Sequence, residues 1–317
     1  MSHKGALPIQ SCWVLTEGLA GLRNQAIGLA QALGVPYVLK EIKKPRGLRK
    51  LFPYKLEFTA PWPDLLITCG CQSVAAAVAV RRASQKKTFT VHIQDPQIGP
   101  NHFDVVIAPA HDKVRGENVF ITQGSVHHVN QEKLEWGREH FQSLLSALPR
   151  PLISVLVGGK NRHKGFTVAS AHDFAMKLRQ AVNKTGGALA ISFSRRTGAS
   201  NEAIIRQELA GRSTYIWDGR GENPYFGLLG LADGLVVTGD SVSMISEAVS
   251  TGKPVYIYEL PHAGGRHKQF VRSLVASGVA RIFNGSVEPW AYTPLDETRK
   301  AADFVSARYT ASMSGSR

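Results

Sequence analysis

The sequence predicts an α/β protein made of two doubly wound domains facing a cleft. Three observations carry that prediction. Short, near-continuous apolar runs alternate with stretches of helical apolar spacing, as in parallel strands covered on both faces. The alternation breaks at LLSALPRP (144–151), where two prolines fall, and then restarts. At 317 residues the chain is longer than one typical domain.

In the first half CWVLT (12–16) reads as a strand, and EGLAGLRNQAIGLAQALG as a helix that ends on Gly34. VPYVLKEI (35–42), WPDLLITCG (62–70), TFTVHIQDP (88–96), DVVIAP (104–109) and NVFITQG (118–124) read as further strands, with a small-residue helix SVAAAVAVRRAS after the second of these. In the second half LISVLVGG, ALAISFS, STYIWD, GLVVTG and PVYIYEL read as strands. Helices over 169–186 and 199–211 separate the first three of them. The expected domains are 1–148 and 149–295, with DETRKAADFVSARYT (296–310) opening a closing helix and tail over 296–317.

Composition narrows the function classes. Hydrophobic residues make up 43% and charged residues 20%, enough for a full core. The longest apolar run, VAAAVAV, is far below the roughly 18 residues a spanning helix needs. The first residues, MSHKGALPIQSCWVL, lack the continuous apolar stretch of a secretory signal. Three cysteines, Cys12, Cys69 and Cys71, argue against a disulfide framework and for buried thiols in a reducing compartment. A cytoplasmic protein, or one peripheral at the inner membrane, is expected. The net charge of +14 favours anionic partners: polyanions, acidic membranes or phosphorylated small molecules.

Ligands of open parallel sheets bind beyond the carboxyl ends of the strands. In the second half these ends run into Gly158, Gly159, Lys160 and Asn161, into Arg195, Arg196 and Thr197, into Gly219 and Arg220, into Gly239, Asp240, Ser241 and Ser243, and into Arg266, His267 and Lys268. Glycine, hydroxyl and cationic residues thus share one rim, and helix N-termini add bare N–H groups suited to phosphate. In TGDSVSMISEAVSTGKP, Gly239 permits the turn and Ser241 or Ser243 can cap the helix. A capped helix accounts for these residues without a ligand, but not for Glu247, four residues after Ser243 on the same helical face. A carboxylate there can accept bonds from ribose hydroxyls, the reading that favours a nucleotide.

These residues carry a resemblance. Thr238, Gly239, Ser241, Ser243, Glu247, Gly252 and Pro254, with Gly158-Gly159, resemble the donor half of B-type glycosyltransferases with two Rossmann-like domains, such as the bacterial lipid-linked glucosamine transferase. Over nearly its full length the chain resembles the family named for a plant mitochondrial-fission factor, which has many bacterial members. TEGLAGLRNQAIGLAQALG, HIQDPQ, VLVGGKNRHKGF, ISFSRRTG and TGDSVSMISEA carry this second likeness. Together they imply a glycosyltransferase-like protein that binds a nucleotide-diphosphate sugar, with Glu247 on the ribose and the helix start on the diphosphate, and a cell-envelope or lipid-linked acceptor. The alternative they imply is a non-catalytic scaffold that recruits a protein partner at a membrane surface.

The first half is expected to supply the acceptor side through Gly18, Gly21, Asn24 and Gln25. Transferases of this type often end their glycine-rich loop here with His, where this chain has Asn24. Glu17 and Asp95 are the candidate bases, while Asp95 also suits a strand-ending turn before Pro96. His92, inside a strand, reads as buried. GLAGLRN fails the glycine spacing of a dinucleotide fingerprint, so no such cofactor is expected. The histidines lack the spacing of a metal site. The basic loop KKPRGLRKLFPYK (43–55) is a candidate contact with anionic membrane, and no nucleic-acid motif is found.

Overall fold

A computed structural model describes residues 7–42, 58–159, 166–211, 213–261 and 265–314. Lys160, Asn161 and the basic loop 43–55 therefore lie outside the described residues. The chain divides into two compact units: Met1–His128 with Asp296–Arg317, and Val129–Leu295.

The first unit contains β1 (Cys12–Thr16), α1 (Ala20–Ala32), β2 (Tyr37–Glu41), β3 (Leu65–Cys69), α2 (Val74–Ala83), β4 (Phe89–Ile93), β5 (Val105–Pro109) and β6 (Val119–Thr122). Its six strands form one parallel sheet in the order β2-β1-β3-β4-β5-β6. Successive residues of a strand face opposite sides, so Val14 and Ile67 enter one core and Leu15 and Leu66 another. Leu29 and Ala30 of α1 join the first; Val74, Ala77 and Val80 of α2 join the second. The sheet is buried on both faces, which is why its strands read as unbroken apolar runs.

The second unit contains α3 (Gln131–Leu145), β7 (Leu152–Val157), α4 (Val168–Thr185), β8 (Ala188–Phe193), α5 (Ala199–Glu208), β9 (Thr214–Ile216), α6 (Tyr225–Leu231), β10 (Gly234–Thr238), α7 (Val242–Val249), β11 (Val255–Tyr258), α8 (Gly265–Ala276) and β12 (Arg281–Ile282). The order is β12-β11-β10-β7-β8-β9, again all parallel. Phe174 of α4 and Ile205 of α5 cover one face over Val155, while Ile245 of α7 and Phe270 of α8 cover the other over Leu156. α4 starts on Thr167, whose side chain accepts the Ser170 N–H, and stops on left-handed Gly186.

Two differences from the expected organisation have physical reasons. Helix α3, whose residues precede the boundary expected at 148, belongs to the second unit because glycines weld it to α6. A Cβ on Gly227 would reach Phe141 Cβ at 2.6 Å, and one on Gly230 the Leu134 carbonyl at 2.6 Å. The last helix, α9 (Glu297–Ser314), returns to the first unit, where Val305 and Tyr309 enter the β1–β3–β4 core. Its start is tied down there. Glu297 Oε2 accepts the Gln123 N–H at 2.8 Å, and Thr298 exchanges bonds with His127.

Candidate functional site

The second sheet reverses direction at its centre. From β7 the chain builds outward through β8 and β9, then returns to the other side of β7 as β10. The loops that follow β7 and β10 meet at this switch point, the place where doubly wound sheets take ligands. Gly158-Gly159 follow β7, and Gly239-Asp240-Ser241 follow β10.

The structure binds these segments to one another. Thr238 Oγ1 accepts the Gly158 N–H at 2.7 Å and donates to Asp240 Oδ1 at 2.7 Å. Gly159 N–H donates to Asp240 Oδ2 at 2.8 Å. Both glycines are obligatory, since a Cβ on Gly158 would overlap the Asp240 carboxylate and one on Gly159 the Arg196 carbonyl. The segment after β8 closes the third side. Buried Thr197 donates to the Gly158 carbonyl at 2.5 Å, and Arg196 Nη2 lies 3.5 Å from Asp240 Oδ2. The Arg196 side chain stays 44% exposed. Arg195 is exposed beside it. Burial raises the Asp240 carboxyl above the usual range, opposed by Gly159 N–H, the Thr238 hydroxyl and Arg196.

Helix α7 opens at the same place. Its N-cap, Ser241, accepts the Met244 N–H at 3.4 Å, while Ser243 lies in the first turn, half-buried. Glu247 is only 5% exposed, and its Oε2 accepts a hydrogen bond from Tyr225 Oη at the start of α6. Burial lifts its carboxyl from 4.5 to about 7, against the Tyr225 bond and the charge of Lys133 on α3. Sequence reading missed Tyr225 and Lys133. The only signal for Tyr225 is its place opening an apolar segment after Pro224.

On the first unit, Gly18 follows β1 with φ +76°, and Gly70 follows β3 with φ +87°. A Cβ on Gly70 would approach Glu17 Oε1 at 2.9 Å, which places the Glu17 carboxylate at this rim. Gln25 of α1 is buried there: its Oε1 lies 3.8 Å from Cys69 Sγ and accepts from Gln94 Nε2 at 3.4 Å. Asn24 is half-buried on α1, and Gly21 is exposed in its first turn. Asp95 Oδ1 accepts the Gln97 N–H at 2.8 Å, a bond that closes a turn after β4.

His92 is fully buried, with Nδ1 2.8 Å from Thr68 Oγ1 and its ring stacked on Phe103; burial pushes it down to about 3. The thiols need one correction. Cys12 and Cys69 are buried, but Cys71 lies past the end of β3 in a short 3₁₀ turn and is exposed.

The family model for mitochondrial fission ELM1 matches residues 20–309. The mitochondrial fission protein ELM1 of Arabidopsis thaliana is 33% identical over 267 residues, 76% of this chain; the chain spans 62% of that relative's length. The UDP-N-acetylglucosamine–N-acetylmuramyl-(pentapeptide) pyrophosphoryl-undecaprenol N-acetylglucosamine transferase of Chlorobium limicola is 27% identical over 176 residues, 54% of this chain and 43% of that protein. Among solved structures, the UDP-GlcNAc 2-epimerase of Methanocaldococcus jannaschii superposes with a TM-score of 0.59 at 10% identity, covering 94% of this chain and 99% of the other. That likeness shows the shared two-sheet α/β fold.

Proposed function

Since the chain belongs to the mitochondrial fission ELM1 family, we propose that the β7–β10 crevice of its second unit binds the nucleoside diphosphate of a nucleotide sugar. On this reading the protein is a glycosyltransferase-like enzyme acting on a cell-envelope or lipid-linked acceptor. One observation carries it: Gly158-Gly159, Arg196-Thr197 and Asp240-Ser241 converge at the switch point where α7 begins. The N–H groups of that helix start, with Arg195 and Arg196, are suited to stabilise the charge of a leaving diphosphate. Glu247 is assigned to the ribose hydroxyls. The relative from Chlorobium limicola and the epimerase of similar fold are both named for UDP-linked N-acetylglucosamine, which supports this ligand class.

Of the two proposed bases, Asp95 is engaged by its own turn, so Glu17 is assigned as proton acceptor for an acceptor hydroxyl. A second reading, a non-catalytic scaffold that recruits a protein partner at a membrane surface, has its own supporting observation. Both Asp240 and Glu247 already hold partners within the chain.

Thermal unfolding against UDP-, GDP-, ADP- and CMP-containing ligands separates the two. A ligand present at one hundred times its dissociation constant adds about 2.7 kcal/mol to stability. The enzyme reading expects such a response to at least one of them, abolished by Glu247→Ala. No response to any favours the scaffold.

A further inference from the structure

The anion-binding groups of the second unit's crevice are already holding an anion. Gly159 N–H, the donor a phosphate oxygen would seek, is spent on Asp240 Oδ2 at 2.8 Å, and Arg196, the nearest guanidinium, leans on the same oxygen at 3.5 Å. The Thr238 hydroxyl completes the cradle from Oδ1. The Asp240 side chain has no exposed surface. A carboxylate so enclosed is turned inward, away from solvent.

We propose that Asp240 is a specificity-determining residue that stands in for a ligand phosphate, so that a diphosphate enters the crevice by exchange with its carboxylate. The inference rests on the nucleotide-sugar reading for the identity of the natural ligand, while the exchange itself concerns any phosphate. Three features of the site fit an exchangeable anion. Without a Cβ at Gly158, the Asp240 carboxylate can sit against the Gly159 N–H in space that a side chain would fill. Arg196 is half-exposed, so its guanidinium can turn from Asp240 to an incoming phosphate without crossing the core. Ser241 and the start of α7 follow Asp240 directly, so the first N–H groups of that helix come next along the chain to the exchanging carboxylate.

A purely structural role, in which Asp240 only ties β7 to β10, makes the opposite prediction on mutation. Like charges a few ångströms apart in a poorly solvated site repel strongly. Removal of the charge therefore raises phosphate affinity if Asp240 is a stand-in, and lowers it if Asp240 holds the cradle together.

The test is calorimetric titration of the full chain and of Asp240→Asn and Asp240→Ser with inorganic pyrophosphate, UDP and uridine. The stand-in account expects both variants to bind pyrophosphate and UDP at least tenfold more tightly than the wild type, with uridine unaffected. If UDP binds no form of the protein but pyrophosphate binds the variants more tightly, the exchange stands and the nucleotide reading falls. Wild-type binding of UDP with equal or weaker binding by folded variants overturns the inference and leaves the nucleotide reading intact. Should neither variant fold, the Gly159 amide resonance of the wild type decides. It shifts on saturation with pyrophosphate if the carboxylate gives way, and a resonance that stays put overturns the proposal.

Discussion

A carboxylate with 5% of its surface exposed keeps its proton to higher pH than a solvated one, and Glu247 does so up to about 7. Between pH 4.5 and about 7 the unfolded chain has released this proton while the folded chain retains it. The folded state binds more protons, so stability falls as pH rises through that window. The difference between 4.5 and 7 corresponds to roughly 3 kcal/mol. Glu247→Gln removes this slope, so its melting temperature holds from pH 5 to 8 while the wild type declines; parallel curves would refute the assignment. If the ionised carboxylate is also what meets the ribose, nucleotide affinity rises with pH across the same window. At Gly159 the added methyl of Gly159→Ala overlaps the Arg196 carbonyl, a packing conflict of about 1–3 kcal/mol, read as a lower denaturant midpoint.

At the scale of elements, the GKP loop after α7 has a reason that the sequence hid. Lys253 Nζ donates to the carbonyls of Gly230 and Ala232 at the end of α6, 2.5 Å from each. It caps a neighbouring helix's C-terminus, and burial brings its ammonium down from 10.5 to about 8. Lys253→Met strands those carbonyls, and equilibrium unfolding is expected to show a loss of about 1.5 kcal/mol. Strands β1, β3, β4, β7, β8, β10 and β11 were legible because residues buried on both faces leave long apolar runs. Strand β12, two exposed residues that pair with β11, carries no such run and was missed. Helix α6 hid for a related reason: YFGLLGL is apolar almost throughout and shows no helical period. The site was legible in the same uneven way. Glycines, hydroxyls and arginines at strand ends mark a rim, but nothing local says that Asp240 turns inward to Gly159 or that Glu247 turns to Tyr225. Both depend on contacts across more than 20 residues of chain.

At the scale of the molecule, the chain passes through one sheet, builds a second, and comes back to finish the first. The terminal helix was legible from its spacing; its destination was not, because no local pattern names the sheet a helix will cover. Tyr309 packs edge-on against Phe89 at 5.2 Å and is 3% exposed. Tyr309→Ala opens a cavity in the first unit's core, a loss of about 3 kcal/mol in chemical unfolding, with Trp13 of the same unit as a fluorescent reporter. No helix among the described residues is long and apolar enough to cross a membrane. The most direct measurement is a crystal structure of the full chain soaked with a nucleoside diphosphate. The account predicts its phosphates within hydrogen-bond reach of Gly159 and the first N–H groups of α7, with Arg196 turned onto them. A diphosphate found on any other surface, with Asp240 still holding Gly159, would contradict it.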